Sequence, residues 1–433
     1  MKIYYIDPEN GLDSNDGLSE NSPKKDYKKI NVKSGDSILF KCGTFIRGML
    51  ENVYDNKGEV ITYGAYGKGE KPTFCGSVDI LSNPDVWCET QKNIWMTEAI
   101  ENDEMCNFVF DGGTSYGTLR WEMEDLCEQG DFYDNCFGTR MRESTMPAGH
   151  KIYMYSCKNP GEFYSDIEAV TYQKRRLATN GDNLCFENLR FINSGTHGIA
   201  AGPSAVNLTV KNCDFENIGG CVWSKDLRIR FGNGFECWDI AKNVTVTGCY
   251  FYNIYDSGVT HQGSKTSCRP AENMHLDNNI FIKCGMGAYE QRDLLPLSAT
   301  FCNNVCIDAG CGFSKQGEIM PRRSEIWPKP MGHHIFIWRI DHKTDGGKLE
   351  IKNNIFSGAK YGASVYSIIE KCAEEQIDLE GNIYCTPDTD TLVNRFFGRD
   401  FESFNDYKNS KIEKNPICKK LDTSIYLKER QQV

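Results

Sequence analysis

Residues 228–263 read RIRFGNGFECWDIAKNVTVTGCYFYNIYDSGVTHQG. The stretch contains two short apolar segments, NVTVTGCYF and GVTHQ, and each of them ends at a glycine or at a turn. Alternation of apolar and polar residues over a few positions indicates half-buried β-strands. The first segment is also one copy of a repeat, and repetition with a period of roughly 20–50 residues indicates a solenoid.

The repeat is a nine-residue unit that recurs between residues 183 and 384, at start-to-start spacings of 24, 36, 30, 25, 50 and 28. The short spacings fit one coil of a β-solenoid, and the long ones fit coils with inserted loops. Apolar residues at the second, fourth and ninth positions are expected to face inward, and asparagines near the sixth to form a ladder in a turn. The units are NLCFENLRF (183), NLTVKNCDF (207), NVTVTGCYF (243), NMHLDNNIF (273), SATFCNNVC (298), KLEIKNNIF (348) and QIDLEGNIY (376).

A second predicted strand follows each unit after a glycine, as in Gly234-Phe235, Gly258-Val259 and Gly287-Ala288. Coils of parallel strands stack about 4.8 Å apart, so equivalent positions of successive coils become spatial neighbours. Counting from the glycines places Glu236 beside Thr260, and His261 beside Glu290. The strands should therefore present one polar patch of carboxylates, amides, an indole and an arginine.

Three segments near the start carry a resemblance to a known family: YYIDPENGLDSNDGLSENSPKK (4–25), GDSILFKCGTFIRG (35–48) and ITYGAYGKGEKPTFCG (61–76). They resemble the opening coils of right-handed parallel β-helix proteins of the pectate-lyase-like superfamily, many of which act on polysaccharides. FGNGFECW (231–238) and YDSGVTHQG (255–263) are similar to a block of its glycoside-hydrolase members, as are GAYEQR (287–292) and the segment from WPKPMGHH to NNIF. The resemblance implies an all-β, right-handed single-stranded parallel β-helix and glycosidase chemistry without a cofactor.

One parallel β-helix domain over residues 1–433 is the predicted organisation. Residues 1–76 should form an N-terminal cap and the first coils, and residues 77–180, which lack the repeat, a β-rich insertion or side lobe. The main coils should occupy 181–385 and carry a flap over 316–348, where Arg, Trp, His and Pro are frequent. Residues 386–433 lose the repeat and should cap the open end of the solenoid.

Two acids, Glu236 and Asp256, take the catalytic roles that the resemblance implies. Glu236, near Phe235 and Trp238, fits a general acid, and Asp256, before a glycine turn, fits a nucleophile or base. Each also has a plainer interpretation, as a solvated strand acid and as the cap of its own turn. Asp256 lies four strand positions from the level of Glu236, about 13 Å along a straight strand, so the pair requires a bend near Gly258. Glu290 is the alternative partner.

Eight further residues are predicted to bind substrate, although each of them could instead be structural. His261 could pack in the core, Trp238 could cover its edge, and Glu290 with Arg292 could form a simple ion pair. The full set is His197, Arg230, Trp238, His261, Gln262, Glu290, Arg292 and Trp338.

The net charge of −11 argues against nucleic acid, anionic membranes and polyanionic sugars as partners and favours a neutral oligo- or polysaccharide. No apolar run reaches the length of a membrane span, and the N-terminus has no apolar leader. The 20 cysteines form no CxxC pair, so no metal site is predicted, and we expect reduced thiols in a cytoplasmic protein that could be a homo-oligomer. The Asp/Asn-rich loop 13–16 either caps turns or holds a cation.

Two other functions remain open. A polysaccharide lyase requires a base and a group that neutralises a uronate, for which His261, Tyr289, Arg292 and Lys315 are candidates. A non-catalytic carbohydrate-binding β-helix would show flat polar ladders or an assembly region, and neither is evident.

Overall fold

Three long, mainly parallel β-sheets run along the molecule, and each coil of the main helix contributes one strand to each sheet, whereas the two opening coils add none to the third. The computed structural model describes residues 1–172, 176–263, 269–311, 332–340, 344–359, 366–368, 371–385, 394–396, 399–401 and 403–427. Successive parallel strands joined in this way, with the right-handed crossovers that such connections adopt, make a right-handed parallel β-helix. The predicted all-β fold class is confirmed.

Within each sheet the strands follow one another in chain order, because successive coils stack along the molecule. The first sheet contains Ile3–Ile6, Ser37–Lys41, Ile61–Tyr66, Leu184–Glu187, Ala205–Lys211, Ala241–Thr247, Glu272–Asp277, Ser298–Cys302, Lys348–Lys352 and Ile377–Glu380. The second contains Phe45–Arg47, Thr73–Cys75, Arg190–Ser194, Asp214–Ile218, Tyr250–Ile254, Ile280–Ile282, Val305–Ala309, Ile355–Ala359, Ile383–Cys385 and Ile417–Cys418. The third contains Arg176–Thr179, His197–Ala200, Phe235–Trp238, Ser257–Gln262, Gly287–Arg292, Ile335–Trp338, Tyr366–Ile368, Asn394–Phe396 and Arg399–Phe401.

Each nine-residue unit spans two strands with a sharp turn between them, so a coil has three strands where the sequence predicted two. The sixth position adopts the left-handed conformation, with φ of 56° at Asn188 and 65° at Gly248. Asparagine and glycine tolerate this conformation better than other residues. The predicted asparagine ladder near the sixth position is present, but it lies at the seventh, because the sixth residues make the turn.

The ladders lie at the neighbouring positions. At the seventh position the backbone N–H of Asn279 donates to Oδ1 of Asn304 (2.8 Å), and the same bond joins Asn304 to Asn354 and Asn354 to Asn382 (2.9 Å each). The ladder ends on Glu413, which accepts from the N–H of Asn382. A second ladder of side-chain amides joins the first positions, Asn183, Asn207, Asn243 and Asn273.

The core inside the coils is a stack of aromatic rings from the ninth positions of the units. The rings of Phe191, Phe215, Phe251 and Phe281 stack at centroid distances of 5.5, 4.7 and 4.8 Å. Leucine, valine and methionine side chains from the second and fourth positions surround them. Burying each Phe side chain stabilises the fold by roughly 1.5–3 kcal/mol. The predicted inward face of the repeat is confirmed, because these side chains are buried in the core.

The insertion leaves the β-helix between the second and third sheets, after Thr73–Cys75 and before Arg176–Thr179. It forms a four-stranded sheet of Ser115–Tyr116, Met105–Phe110, Ile167–Thr171 and Ser77–Val78, and a five-stranded sheet of Thr118–Leu119, Asp131–Asp134, Ile152–Tyr155, Ile94–Thr97 and Cys88–Gln91. The two sheets enclose a separate apolar core. The hairpin of Cys221–Ser224 and Ile229–Phe231 leaves at the same corner two coils later.

Helical segments are few and short. Two α-helices, Pro160–Phe163 and Phe404–Ser410, lie in the part of the chain that the structure describes. The second covers the end of the coils, where the ring of Tyr407 packs against that of Tyr384. The described 3₁₀ segments are Tyr27–Lys29, Ile80–Ser82, Pro84–Val86, Asp111–Gly113, Met123–Asp125, Lys371–Gln376 and Ser424–Tyr426.

Most of the predicted flap lies outside the described residues, namely 316–331 and 341–343, as does part of the predicted C-terminal cap. For the described residues of this segment the prediction of a flap is wrong, because Ile335–Trp338 is a regular strand of the third sheet. No helix in the described part of the chain is long and apolar enough to cross a membrane.

Candidate active site

The predicted patch lies on the outer face of the third sheet, where two columns of side chains point away from the core. Glu236 pairs with Thr260 and Thr260 with Glu290 on successive strands, which makes the first column. Trp238 pairs with Gln262 in the second column, and Arg292 pairs with Trp338 further along it. Alternation along each strand sends Phe235, Cys237 and Val259 into the core and leaves these residues outside.

The register differs by one residue from the predicted one at the strand Gly287–Arg292. Gly287 pairs with Ser257 rather than with Gly258, so Glu290 lies beside Thr260 and not beside His261. The shift places Tyr289 in the inward column of Phe235 and Val259, where its ring stacks on Phe301. Glu236 and Glu290 therefore occupy the same outward column two coils apart, a backbone spacing of about 10 Å.

Glu236 is buried and held by two amides. Nδ2 of Asn233 donates to Oε2 at 2.8 Å, and Nε2 of Gln262 donates to the same oxygen at 2.9 Å. Among the residues that the structure describes, none forms a hydrogen bond with Oε1. Both donors therefore act on one carboxyl oxygen, and the other oxygen is left for a ligand.

Glu290 is buried with both oxygens bonded: Oγ1 of Thr260 donates to Oε2 at 3.0 Å, and Nε1 of Trp338 donates to Oε1 at 2.7 Å. Burial raises the pKa of Glu290; the charge of Glu236 acts in the same direction, and Arg292 opposes it. Two carboxyl groups on one face thus lie in different environments, which is the pattern that separates a proton donor from a carboxylate.

An aromatic surface flanks the two acids; we call Trp238, Arg292 and Trp338 the tryptophan shelf. The guanidinium of Arg292 lies 5.4 Å from the ring centroid of Trp238 and 5.7 Å from that of Trp338. Asp293 accepts from Nε of Arg292 at 3.1 Å, which fixes the guanidinium between the two indoles. Trp238 is 38% exposed, so its ring offers a flat apolar surface to a ligand.

Asp256 lies at the turn before this face. It immediately precedes the strand Ser257–Gln262, four positions ahead of Thr260, the residue that pairs with Glu236. Its Oδ2 accepts from the backbone N–H of Gly232 at 3.1 Å, and it caps the turn there. This geometry does not support the predicted pairing of Glu236 with Asp256.

His261 faces the interior and does not join the patch, contrary to the prediction. Its Nδ1 lies 3.0 Å from Nε2 of Gln291, which is also buried, and burial lowers the pKa of His261 to about 4. The physical reason is alternation along the strand, since His261 shares the inward side with Val259.

Arg230 and His197 were also predicted to bind substrate, and in the structure both form hydrogen bonds with backbone groups. Arg230 is fully enclosed and donates to the carbonyls of Gly220 and Cys106, so it ties the coils to the insertion. Nδ1 of His197 accepts from the backbone N–H of Asn233 at 3.1 Å and lies 3.8 Å from Oε2 of Glu236. Because that nitrogen accepts a hydrogen bond, it carries no proton for Glu236, and the contact is not an ion pair.

Sequence reasoning missed Asn233, which holds Glu236 through its side chain. Its Oδ1 also accepts from the backbone N–H of Ser257, so one asparagine connects two coils. Its place in the turn dipeptide Asn233-Gly234, two residues before the strand, is the signal that could have identified it. Phe336, in the column of Glu290, was missed because it lies in the predicted flap.

The loop 13–16 uses its polar side chains for turns and an ion pair. Asp13 accepts from the backbone N–H of Asp26 and pairs with Lys29, while Asp16 accepts from the N–H of Leu18. In the described part of the chain, no three His, Cys, Asp or Glu side chains are grouped as a metal site would require.

No family model matches the chain, and no curated protein matches it by sequence. Solved structures do match. GH136 lacto-N-biosidase from Eubacterium ramulus is 14% identical, with a TM-score of 0.46, over 89% of this chain and 55% of its own. XylC in complex with xylose is 13% identical, with a TM-score of 0.42, over 88% and 68%. Pectate lyase Pel9A is 12% identical, with a TM-score of 0.36, over 93% and 82%.

The likeness is one of fold. The chain spans about half the length of the lacto-N-biosidase, and the similar structures include both hydrolases and lyases. The resemblance to parallel β-helix proteins that the opening coils indicated is confirmed at this level, because the three stacked sheets are present in the chain itself.

Proposed function

We propose that the protein is a carbohydrate-active enzyme, a glycoside hydrolase whose catalytic pair is Glu236 and Glu290. The observation that carries the proposal is the placement of two buried carboxyl groups in one outward column, in different environments. Glycosidases need one protonated and one ionised carboxyl group that flank the scissile glycosidic bond.

Glu290 is the general acid, since burial holds its carboxyl group in the protonated form to higher pH than usual. It protonates the leaving glycosidic oxygen. Glu236, held by the amides of Asn233 and Gln262, is the carboxylate that attacks the anomeric carbon or activates a water. Which of the two it does sets the anomeric configuration of the product.

The tryptophan shelf supplies sugar binding. Indole rings stack on the apolar faces of pyranose rings, and Arg292 and Gln262 offer hydrogen-bond donors for hydroxyl groups. The acidic net charge of −11 favours a neutral glycan over a uronate polymer.

A lyase is the less supported alternative. Two of its candidate bases, His261 and Tyr289, face the core and reach no substrate on the outer face. Lys315 lies outside the described residues, and of the four candidates Arg292 is the one that the described outer face presents as a group to neutralise a uronate. Release of an unsaturated, ultraviolet-absorbing product would contradict the hydrolase proposal.

Two substitutions test the catalytic pair. Glu236→Gln and Glu290→Gln should each lower kcat at least about 10³-fold on the true substrate, with unfolding free energy changed by no more than about 1–2 kcal/mol. Substrates are to be found by screening nitrophenyl glycosides and oligosaccharides, with product NMR. Asp256→Asn is the matched control: a comparable loss of kcat there would favour the pair Glu236 and Asp256. If Glu290→Gln retains more than about a tenth of the activity, the proposed pair is wrong.

Gln262→Ala removes one amide from Glu236 without touching the core. It should lower kcat about 10–100-fold, because the carboxylate is held less well in place. Thr245→Ala, on the outer face of the first sheet, should leave kcat unchanged.

A further inference from the structure

A groove of about 780 Å³ lies on the outer face of the second sheet, away from the candidate active site on the third. One wall is the insertion, from Val109 to Tyr116 together with Asp166 and Glu168. The floor is the strands Arg190–Ser194, Asp214–Ile218 and Tyr250–Ile254, and Leu427 near the C-terminus borders it. This volume is in the range of ligand-binding sites, roughly 300–1,000 Å³.

The floor carries polar groups that are already fixed in ion pairs. Nε and Nη2 of Arg190 bond the two oxygens of Glu216 at 2.8 and 3.0 Å, and Nζ of Lys71 bonds Oδ1 of Asp214 at 2.8 Å. Arginine and carboxylate held in this bidentate geometry keep their positions and still offer hydrogen-bonding edges. Such a surface suits a ligand with many hydroxyl groups.

Aromatic rings adjoin these pairs. The rings of Tyr250 and Tyr252 are parallel within 3°, with centroids 6.3 Å apart. Beyond them the same face becomes apolar, and there Tyr426 packs over Ile282 and its neighbours. The groove therefore occupies the part of this face that the described residues of the C-terminal segment, up to Leu427, leave uncovered, where tyrosines meet the fixed charges.

The groove is acidic overall. Five of its lining residues are carboxylic acids, Glu70, Asp166, Glu168, Asp214 and Glu216, against the two bases Lys71 and Arg190. Glu168 is paired with Arg47 from outside the groove, at 2.8 Å. A uronate or phosphate ligand would be repelled, because the bases are already committed to carboxylates. A neutral ligand meets no such penalty.

We propose that this groove is a non-catalytic binding site for a neutral oligosaccharide. Tyrosine rings contact the apolar faces of sugar rings, and the paired charges accept and donate hydrogen bonds to hydroxyl groups. The groove lies on a different sheet from Glu236 and Glu290 and shares no lining residue with the tryptophan shelf. The inference therefore does not rest on the proposed catalytic pair and stands or fails apart from it.

Hydrogen exchange with mass spectrometry tests the groove on the full chain carrying both Glu236→Gln and Glu290→Gln, so that no ligand is consumed. Cellohexaose, xylohexaose and chitohexaose are the neutral probes, and trigalacturonate is the acidic one. At millimolar concentration, at least one neutral probe should slow exchange in peptides covering 105–119 and 247–255. Trigalacturonate should not.

Two variants locate the binding. Tyr252→Ala removes an aromatic ring, and Glu70→Trp fills the groove from an exposed position without removing a packed group. Each should abolish the protection of these peptides, with at least a tenfold loss of affinity. Tyr54→Ala, an exposed tyrosine outside the groove, is the matched control and should leave the protection intact.

Three outcomes would overturn the inference. They are an absence of protection with all three neutral probes, equal protection in both groove variants, and equal or stronger protection by trigalacturonate. Loss of melting temperature in Tyr252→Ala would not obscure the result, because Glu70→Trp gives the same readout from a surface position.

Discussion

The indole nitrogen of Trp338 donates a 2.7 Å hydrogen bond to Oε1 of Glu290. The bond joins adjacent coils, since Glu290 pairs with Phe336 two residues before the tryptophan. A donor aimed at a carboxyl oxygen favours the ionised form, so this bond opposes the effect of burial on the pKa of Glu290. The indole of Trp338 thus lowers the pKa of the acid beside it, in opposition to burial.

Trp338→Phe should therefore raise the pKa of Glu290 further. If Glu290 is the general acid, activity is lost as pH rises through that pKa, so the alkaline limb of the kcat/KM profile should move to higher pH, by about one unit for a lost hydrogen bond of roughly 1.5 kcal/mol. Trp238→Phe keeps the bond and should leave the limb in place. A limb that moves to lower pH, or moves equally in both variants, would contradict this relationship.

Much of the fold follows from the sequence because it depends on local pattern. The phenylalanines at the ninth positions of the units and the glycines and asparagines at the sixth are visible without knowing which coils touch. The inward face of Phe191, Phe215 and Phe251 follows from alternation alone. The insertion was recognisable only as a break in the repeat, since its two sheets pair strands far apart in sequence, such as Met105–Phe110 with Ile167–Thr171.

The site was harder to predict because a shift of one residue in register reverses which face a side chain occupies. Counting from Gly287 predicted that Glu290 lies beside His261. In the structure Tyr289 lies beside Val259 and faces the core, so Glu290 lies beside Thr260, one position away from the prediction. The role of Arg230 depends on a partner from the insertion, and nothing local indicates that contact.

The cysteines are predicted to be free thiols, as a reducing compartment would keep them. The eighteen that the structure describes form no disulfide with one another, although Sγ of Cys249 lies 3.4 Å from the backbone nitrogen of Cys213 in the adjacent coil. Titration in denaturant without reductant should find nearly all 20 thiols. In the native protein the exposed Cys88, Cys127, Cys157 and Cys418 should react first. Several missing thiols would contradict both the free-thiol prediction and the cytoplasmic one.

Glu104 makes stability depend on pH. It is fully buried in the insertion, accepts the backbone N–H groups of Gly138 and Arg140 at 2.9 and 3.1 Å, and burial raises its pKa to about 8. A raised pKa in the folded state means that the folded protein binds the extra proton. The stabilisation is therefore complete below the unfolded value, near 4.3, and is lost as pH rises toward 8.

Wild-type unfolding free energy should accordingly fall between about pH 5 and 8, by up to roughly 1.4 kcal/mol per unit. Glu104→Gln removes this titration, so the slope should flatten, while the exposed Glu101→Gln should keep it. Denaturant titrations at several pH values measure the slope. An equal slope in wild type and Glu104→Gln would show that Glu104 does not titrate in this range.

The buried asparagine ladder should be a major source of stability, and Asn304 is its best test. Its Oδ1 accepts from the backbone N–H of Asn279, and its Nδ2 donates to Leu276 O at 2.8 Å and to Oδ1 of Asn354 at 3.1 Å. Asn304→Ala leaves these buried groups unpaired and opens a small cavity, so we expect a loss of about 2–4 kcal/mol in unfolding free energy. The neighbouring Asn303 is exposed and adopts φ of 57°, a conformation that glycine tolerates. Asn303→Gly should therefore change stability by less than about 0.5 kcal/mol. Equal losses in the two variants would mean that the ladder contributes no more than a surface turn does.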